Sequence, residues 1–156
     1  MNSTDYQLMM QYLQSKYHTF FDLENPRTAE LIKNWWRYLK RTDTDIMWEV
    51  LTEYTASSQY APQLVNIESA YYQKTTAIEN AVNEKANLIR AYIDDATGVN
   101  ETERAKYYNL ISEKLDSIPL KNREAVTETI YMKCRQSYSA LMQDISILNS
   151  IMGEII

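Results

Sequence analysis

At 156 residues the chain suffices for one ordinary domain, or for a small domain with a helical extension, and its 45% hydrophobic content excludes wholesale disorder. A net charge of −5 argues against nonspecific DNA binding by the molecule as a whole, because that mode draws most of its affinity from neutralised phosphates. Two glycines and three prolines, against usual shares of roughly 7% and 5%, are too few for many short strands and predict an all-α protein.

Ser3, Thr4 or Asp5 is placed to cap a first helix, whose apolar residues Met9, Leu13, Tyr17 and Phe20 recur at steps of three and four. The helix is predicted to end near Phe21. Pro26 suits the opening of a second helix with a broad face of Leu31 or Ile32, Trp35, Trp36 and Leu39, and Lys40 and Arg41 complement the dipole of its last turn. Asp43 or Thr44 caps a third, with Met47, Val50, Leu51 and Tyr54 inward and Trp48 on the shoulder. Pro62 then suits the first turn of a fourth helix, over whose start Tyr60 can fold as a hydrophobic staple, with Leu64, Ile67 and Tyr71 continuing inward.

Beyond about residue 73 the stripes narrow, which predicts a compact four-helix N-terminal domain over 1–72 and a second helical region over 73–156. Ile78, Val82, Ile89 and Tyr92 trace a near-heptad stripe interrupted by Lys85, and Gly98 is placed as a C-cap. Asn100 starts a helix with Tyr108, Ile111 and Leu115 inward, and Pro119 closes it. A long last helix is predicted from about Asn122 to Met152, carrying Val126, Ile130, Cys134, Tyr138, Leu141, Ile145, Leu148 and Met152. Three such helices can close as a hairpin assembly or open to grasp a partner.

Catalytic chemistry is hard to find in this chain. One histidine, His18, and one cysteine, Cys134, rule out multi-histidine and thiolate metal sites, and Cys134 reads as a small core hydrophobe. With glycine only at Gly98 and Gly153 no phosphate-cradling loop is available, and "IDDATGVNE" lacks the ligand ladder of a calcium loop. The expectation is a protein without catalytic residues, metal or cofactor. The N-terminus lacks the basic start and apolar run of a signal peptide, and no stretch approaches about 18 apolar residues, so a soluble cytoplasmic protein is expected.

The stretch "NWWRYLKRTDTD", residues 34 to 45, raises a choice between core, partner surface and nucleic-acid surface. Adjacent helical positions point about 100° apart, so Trp35 belongs to the core and Trp36 borders it. Lys33, Arg37, Lys40 and Arg41 form a cationic rim for DNA or a partner; in an acidic chain, solvation or ion pairing is the plainer reading, and direct DNA binding is expected to be weak or absent.

The succession "SKYHTFF", "IKNWWRYLKRTD" and "DIMWEVLTEYTASSQYAPQLVNI" resembles the small phage-encoded loader/inhibitor proteins of the replicative helicase, first typified by a Bacillus phage. The likeness covers about the first 70 residues. The matching positions are Tyr17 and Phe20, Trp35 and Leu39, Met47, Val50, Leu51 and Tyr54, then Tyr60, Pro62 and Ile67. The resemblance implies a compact N-terminal helical domain, a following segment that engages the hexameric replicative DNA helicase, and an origin-binding replisome organiser as second partner. It implies helicase delivery at phage or prophage origins in a bacterial host, with helicase activity restrained until handover. The family's C-terminal segment can be a short flexible tail, whereas residues 73–156 here read as substantial helices.

The apolar ending "SALMQDISILNSIMGEII" points to a terminal helix that docks on a helicase subunit, with Tyr138, Leu141, Ile145, Leu148, Ile151 and Met152 as partner-binding residues, and Trp36 on the rim of the second helix is a separate partner-binding candidate. A closing helix of the protein's own core, or a homodimer seam, is the competing reading of the same residues. Two other function classes stay open: a DNA-binding replication or transcription accessory protein using the basic rim, and a structural coiled-coil adaptor.

Overall fold

The computed structural model describes residues 1–22 and 24–155; Ile156, the end of the predicted C-terminal region, lies outside them. The all-α expectation holds: the described residues form eight helices and no strand. They are α1 (Ser3–Lys16), α2 (Thr28–Leu39), α3 (Thr44–Ser57), α4 (Leu64–Asp95), α5 (Glu101–Asp116), α6 (Leu120–Gln136), α7 (Tyr138–Gln143) and α8 (Ile147–Gly153). The chain divides into two compact units, Met1–Thr75 and Thr76–Ile156. No helix among the described residues is long and apolar enough to cross a membrane.

The first unit holds α1, α2, α3 and the opening turns of α4. Its core joins Met9 and Leu13 of α1, Tyr17 and Phe20 after it, Trp35 and Leu39 of α2, Met47, Val50 and Leu51 of α3, and Ile67 of α4. Asn2, one residue before the predicted caps, closes the start of α1 by accepting from the Asp5 amide, and Asp43 caps α3 by accepting from the Asp45 and Ile46 amides. Tyrosine hydroxyls tie the elements at the edge of this core: Tyr17 donates to the Ser58 carbonyl at 2.9 Å, Tyr12 and Thr55 share a hydrogen bond of 2.7 Å, and Tyr71 accepts from the Asp43 amide at 2.8 Å. Ile46, which the sequence pattern left out of the stripe, is fully buried.

Two sequence expectations are corrected here. The chain is not interrupted at the predicted boundary near residue 72: with no proline or glycine between Leu64 and Asp95, nothing local stops the fourth helix, and it runs through as one helix of 32 residues. Tyr60 does not staple its start, because the ring is 81% exposed while Pro62 is buried in its place.

The second unit is built on Val82, Ala86, Ile89 and Ile93 of α4, Tyr107, Ile111 and Leu115 of α5, and Ile130 and Cys134 of α6. Asn100 opens α5 with a full capping box, its side chain accepting from the Glu103 amide while the Glu103 carboxylate accepts from the Asn100 amide. Gly98 sits in the preceding turn at φ +74, a left-handed conformation that glycine adopts without penalty. The α4 stripe is shifted from the predicted one: Ala86 fills the position beside Lys85, and Lys85 turns out to pair with Glu128 at 2.9 Å. Similarly Tyr107, not Tyr108, points inward, and the Tyr108 hydroxyl donates to Asp94.

The long last helix is also corrected. It breaks at Ser137 and again at Asp144, which adopts extended backbone and accepts from the Ser146 amide at 2.9 Å; hydrogen bonding to the Ser146 side chain, and then to this amide, holds its carboxyl below the usual range. The break lets α8 turn back and bury Leu148, Ile151, Met152 and the following Ile155 against α5 and α6.

Burial pushes the Cys134 thiol up to about 11, so little of the nucleophilic thiolate exists near neutral pH. A disulfide exchange reagent such as DTNB at pH 8 should leave Cys134 unmodified in the folded protein and titrate one thiol in guanidinium. Prompt labelling of the native protein would contradict the core placement.

Candidate functional site

The first unit carries an apolar groove of about 750 Å³ between α1 and α2. It arises from two side-by-side doublets. On α1, Met9 is fully buried and its neighbour Met10 is displaced to the shoulder; on α2, Trp35 is core and Trp36 is half-buried. A second residue of each doublet cannot share its neighbour's direction, so both shoulders face the same cleft, joined by Tyr6, Ile32 and Phe21.

Hydrogen bonds fix this geometry. The Tyr6 hydroxyl donates across the cleft to the Ile32 carbonyl at 2.7 Å, and its ring lies 5.1 Å from Trp36 at an interplanar angle of 58°. Burial raises the Tyr6 phenol to about 12, so it remains a neutral donor over ordinary pH. Gln14 closes one end: its Oε1 accepts from the Phe21 amide at 2.8 Å, and its Nε2 donates to the His18 carbonyl at 2.9 Å, folding the segment after α1 back over the groove. His18 itself is exposed.

The two walls differ. On α1 the wall is uncharged, made of Ser3, Gln7, Gln11 and Gln14. Beyond Trp36 on α2, Lys40 and Lys33 lie about 40° and 60° further round the helix and Arg37 about 100°, so three cations flank the opposite side. All are exposed, as is Arg41 past the helix end. Arg37 donates to Asn34 Oδ1 at 3.4 Å, and none of the four forms an ion pair among the described residues. Only one acidic residue, Glu30, stands against the five basic residues between Arg27 and Arg41.

The residues named from sequence therefore separate. Tyr17, Phe20, Trp35, Leu39 and Ile67 meet in one core; Tyr54 is half-buried at its edge; Tyr60 stands apart. Among the partner-binding candidates, only Trp36 lines the groove. Leu141, Leu148, Ile151 and Met152 are 0–5% exposed inside the second unit's own core, Ile145 packs against that core, and Tyr138 is 43% exposed. Of the two readings of the C-terminal end, this burial favours the closing helix of the protein's own core: Leu148, Ile151 and Met152 pack with α5 and α6, and presenting them to a partner means opening the core.

Tyr6, Met10, Phe21 and Gln14 were not among the sequence candidates. The Met9–Met10 doublet carried the same signal as Trp35–Trp36, an apolar face too wide for one stripe. Among the described residues no cluster of three or more His, Cys, Asp or Glu side chains is disposed to hold a metal ion. No protein-family model, curated protein or solved structure matches the chain.

Proposed function

We propose that this protein is a replication accessory factor that binds a replicative hexameric DNA helicase and loads or restrains it through protein contacts, in phage or prophage replication in a bacterial cytoplasm. The observation that carries this reading is the ordered set of aromatic and aliphatic positions Tyr17, Phe20, Trp35, Leu39 and Ile67. It resembles the phage loader/inhibitor pattern in sequence, and its members pack into one core. With no phosphate-cradling loop in the sequence, the mechanism is differential binding: the factor favours an open or inactive helicase conformation and leaves when DNA, or an origin-bound organiser, favours the closed one.

Sedimentation velocity with purified replicative helicase from the cognate host should give a complex heavier than the hexamer. The same protein in molar excess should change the rate of DNA unwinding. Independent sedimentation together with unchanged unwinding would overturn the proposal. A second reading, a DNA-binding accessory protein, rests on the exposed Lys33, Lys40 and Arg41, which form no ion pair among the described residues, and predicts DNA affinity that falls steeply with salt and disappears on charge reversal at those positions.

A further inference from the structure

We infer that the α1–α2 groove is a docking site for an acidic amphipathic helix of a partner protein. The proposal concerns the chemistry of the partner segment and stands whether or not that partner is a helicase. The floor is apolar and aromatic, from Tyr6, Met10, Ile32 and Trp36, as a helix-in-groove contact requires. Charge complementarity selects the occupant. Lys33, Arg37 and Lys40 are not part of the lining but follow Trp36 round α2 on the side away from Ile32, exposed and without an ion pair among the described residues, while the amides of Gln7 and Gln11 on the α1 wall add no charge. A helix seated on Trp36 with leucine or phenylalanine anchors therefore meets cations along one flank and neutral hydrogen-bonding groups along the other, which calls for glutamate or aspartate on the first flank.

Single-stranded nucleic acid is the less suitable occupant. The Trp36 ring is half-buried and tilted against Tyr6, which makes it a poorer stacking platform for a base than a fully exposed ring.

The test is fluorescence anisotropy of the full-length chain with three probes. One is a labelled helical peptide with leucines at i, i+4 and i+7 and glutamates along one flank, the second is the same peptide with lysines replacing the glutamates, and the third is a labelled oligothymidine. The glutamate peptide should bind, and the other two should bind much more weakly. Trp36→Ala should weaken that binding by about thirtyfold, as loss of a central tryptophan anchor does. The double variant of exposed residues Lys33→Glu and Arg37→Glu, which leaves the core intact, should weaken it by roughly fivefold and reverse the preference between the two peptides. Equal binding of both peptides, no binding, or preference for the oligonucleotide would overturn the inference. So would self-association of the free chain that Trp36→Ala abolishes, since the groove would then belong to a second copy.

Discussion

A chain truncated after Asp144 is expected to lose the fold of its second unit. The deletion removes α8 and Ile155, and with them Leu148, Ile151, Met152 and Ile155, each 7% exposed or less. Burying such a side chain contributes about 1.5–3 kcal/mol, so the loss of four is of the same order as the roughly 5–15 kcal/mol that separates folded from unfolded domains. The residues left behind, Ile111, Ile130 and Cys134, are fully buried in the intact chain and would face water. Two measurements read the result: loss of methyl dispersion in the NMR spectrum of residues 76–144, and DTNB reactivity of Cys134 without denaturant. Retention of both native signatures would mean that the terminal segment is an arm and not part of the core. The point substitution Leu148→Ala grades the effect, with an expected cost of about 2–5 kcal/mol. For the same reason, a partner lost on deleting this segment does not identify the segment as the partner's binding site.

The helical class was readable because glycine and proline are scarce and because capping residues stand where helices begin, at Asp43 and Asn100 most clearly. Buried positions in the first unit followed the three-and-four spacing closely, since its helices are short and each presents one face. The sequence was less informative where helices are long or interrupted. Periodicity cannot separate Ala86 from a gap in the stripe, because alanine carries little hydrophobic weight, yet Ala86 is buried in the second unit's core. Nor did it reveal the break at Asp144: the apolar spacing continues through it, and the stop comes from a side-chain hydrogen bond to Ser146 that competes with the helix ladder.

The candidate groove was half legible. Trp36 stood out as the second ring of a doublet, but its partners on α1 depend on how two helices meet, which no local pattern encodes. Tyr6 illustrates this. In sequence it is one tyrosine of thirteen, and its role follows from a hydroxyl that reaches the Ile32 carbonyl 26 residues away. The basic residues on α2 were visible as a cluster; that they form no ion pair among the described residues became apparent only once the ion pairs elsewhere, such as Lys74 with Glu49 and Glu53, were accounted for.

Trp35→Ala should be the most damaging single substitution in the first unit, and comparison with Trp36→Ala tests the division of labour on α2. Trp35 is 2% exposed and meets Phe20 edge-on at 5.3 Å and 86°, with Leu39 one turn further along the same face. Truncating a buried tryptophan costs about 3–5 kcal/mol, because the lost burial is joined by a cavity that rigid neighbours cannot fill. Here the neighbours Phe20 and Leu13 are held by the fold of α1 and the turn after it, where Tyr17 is tied to Ser58, so collapse into the space is resisted. Trp36, half-buried on the groove wall, loses contact mainly with Tyr6, and its removal should cost distinctly less stability while weakening docking. Guanidinium unfolding followed by circular dichroism should therefore give a large fall in midpoint for Trp35→Ala at little-changed slope, and a small one for Trp36→Ala. Equal falls would mean that both rings are structural, and the groove would then be a seam of the core, with no separate surface for a partner.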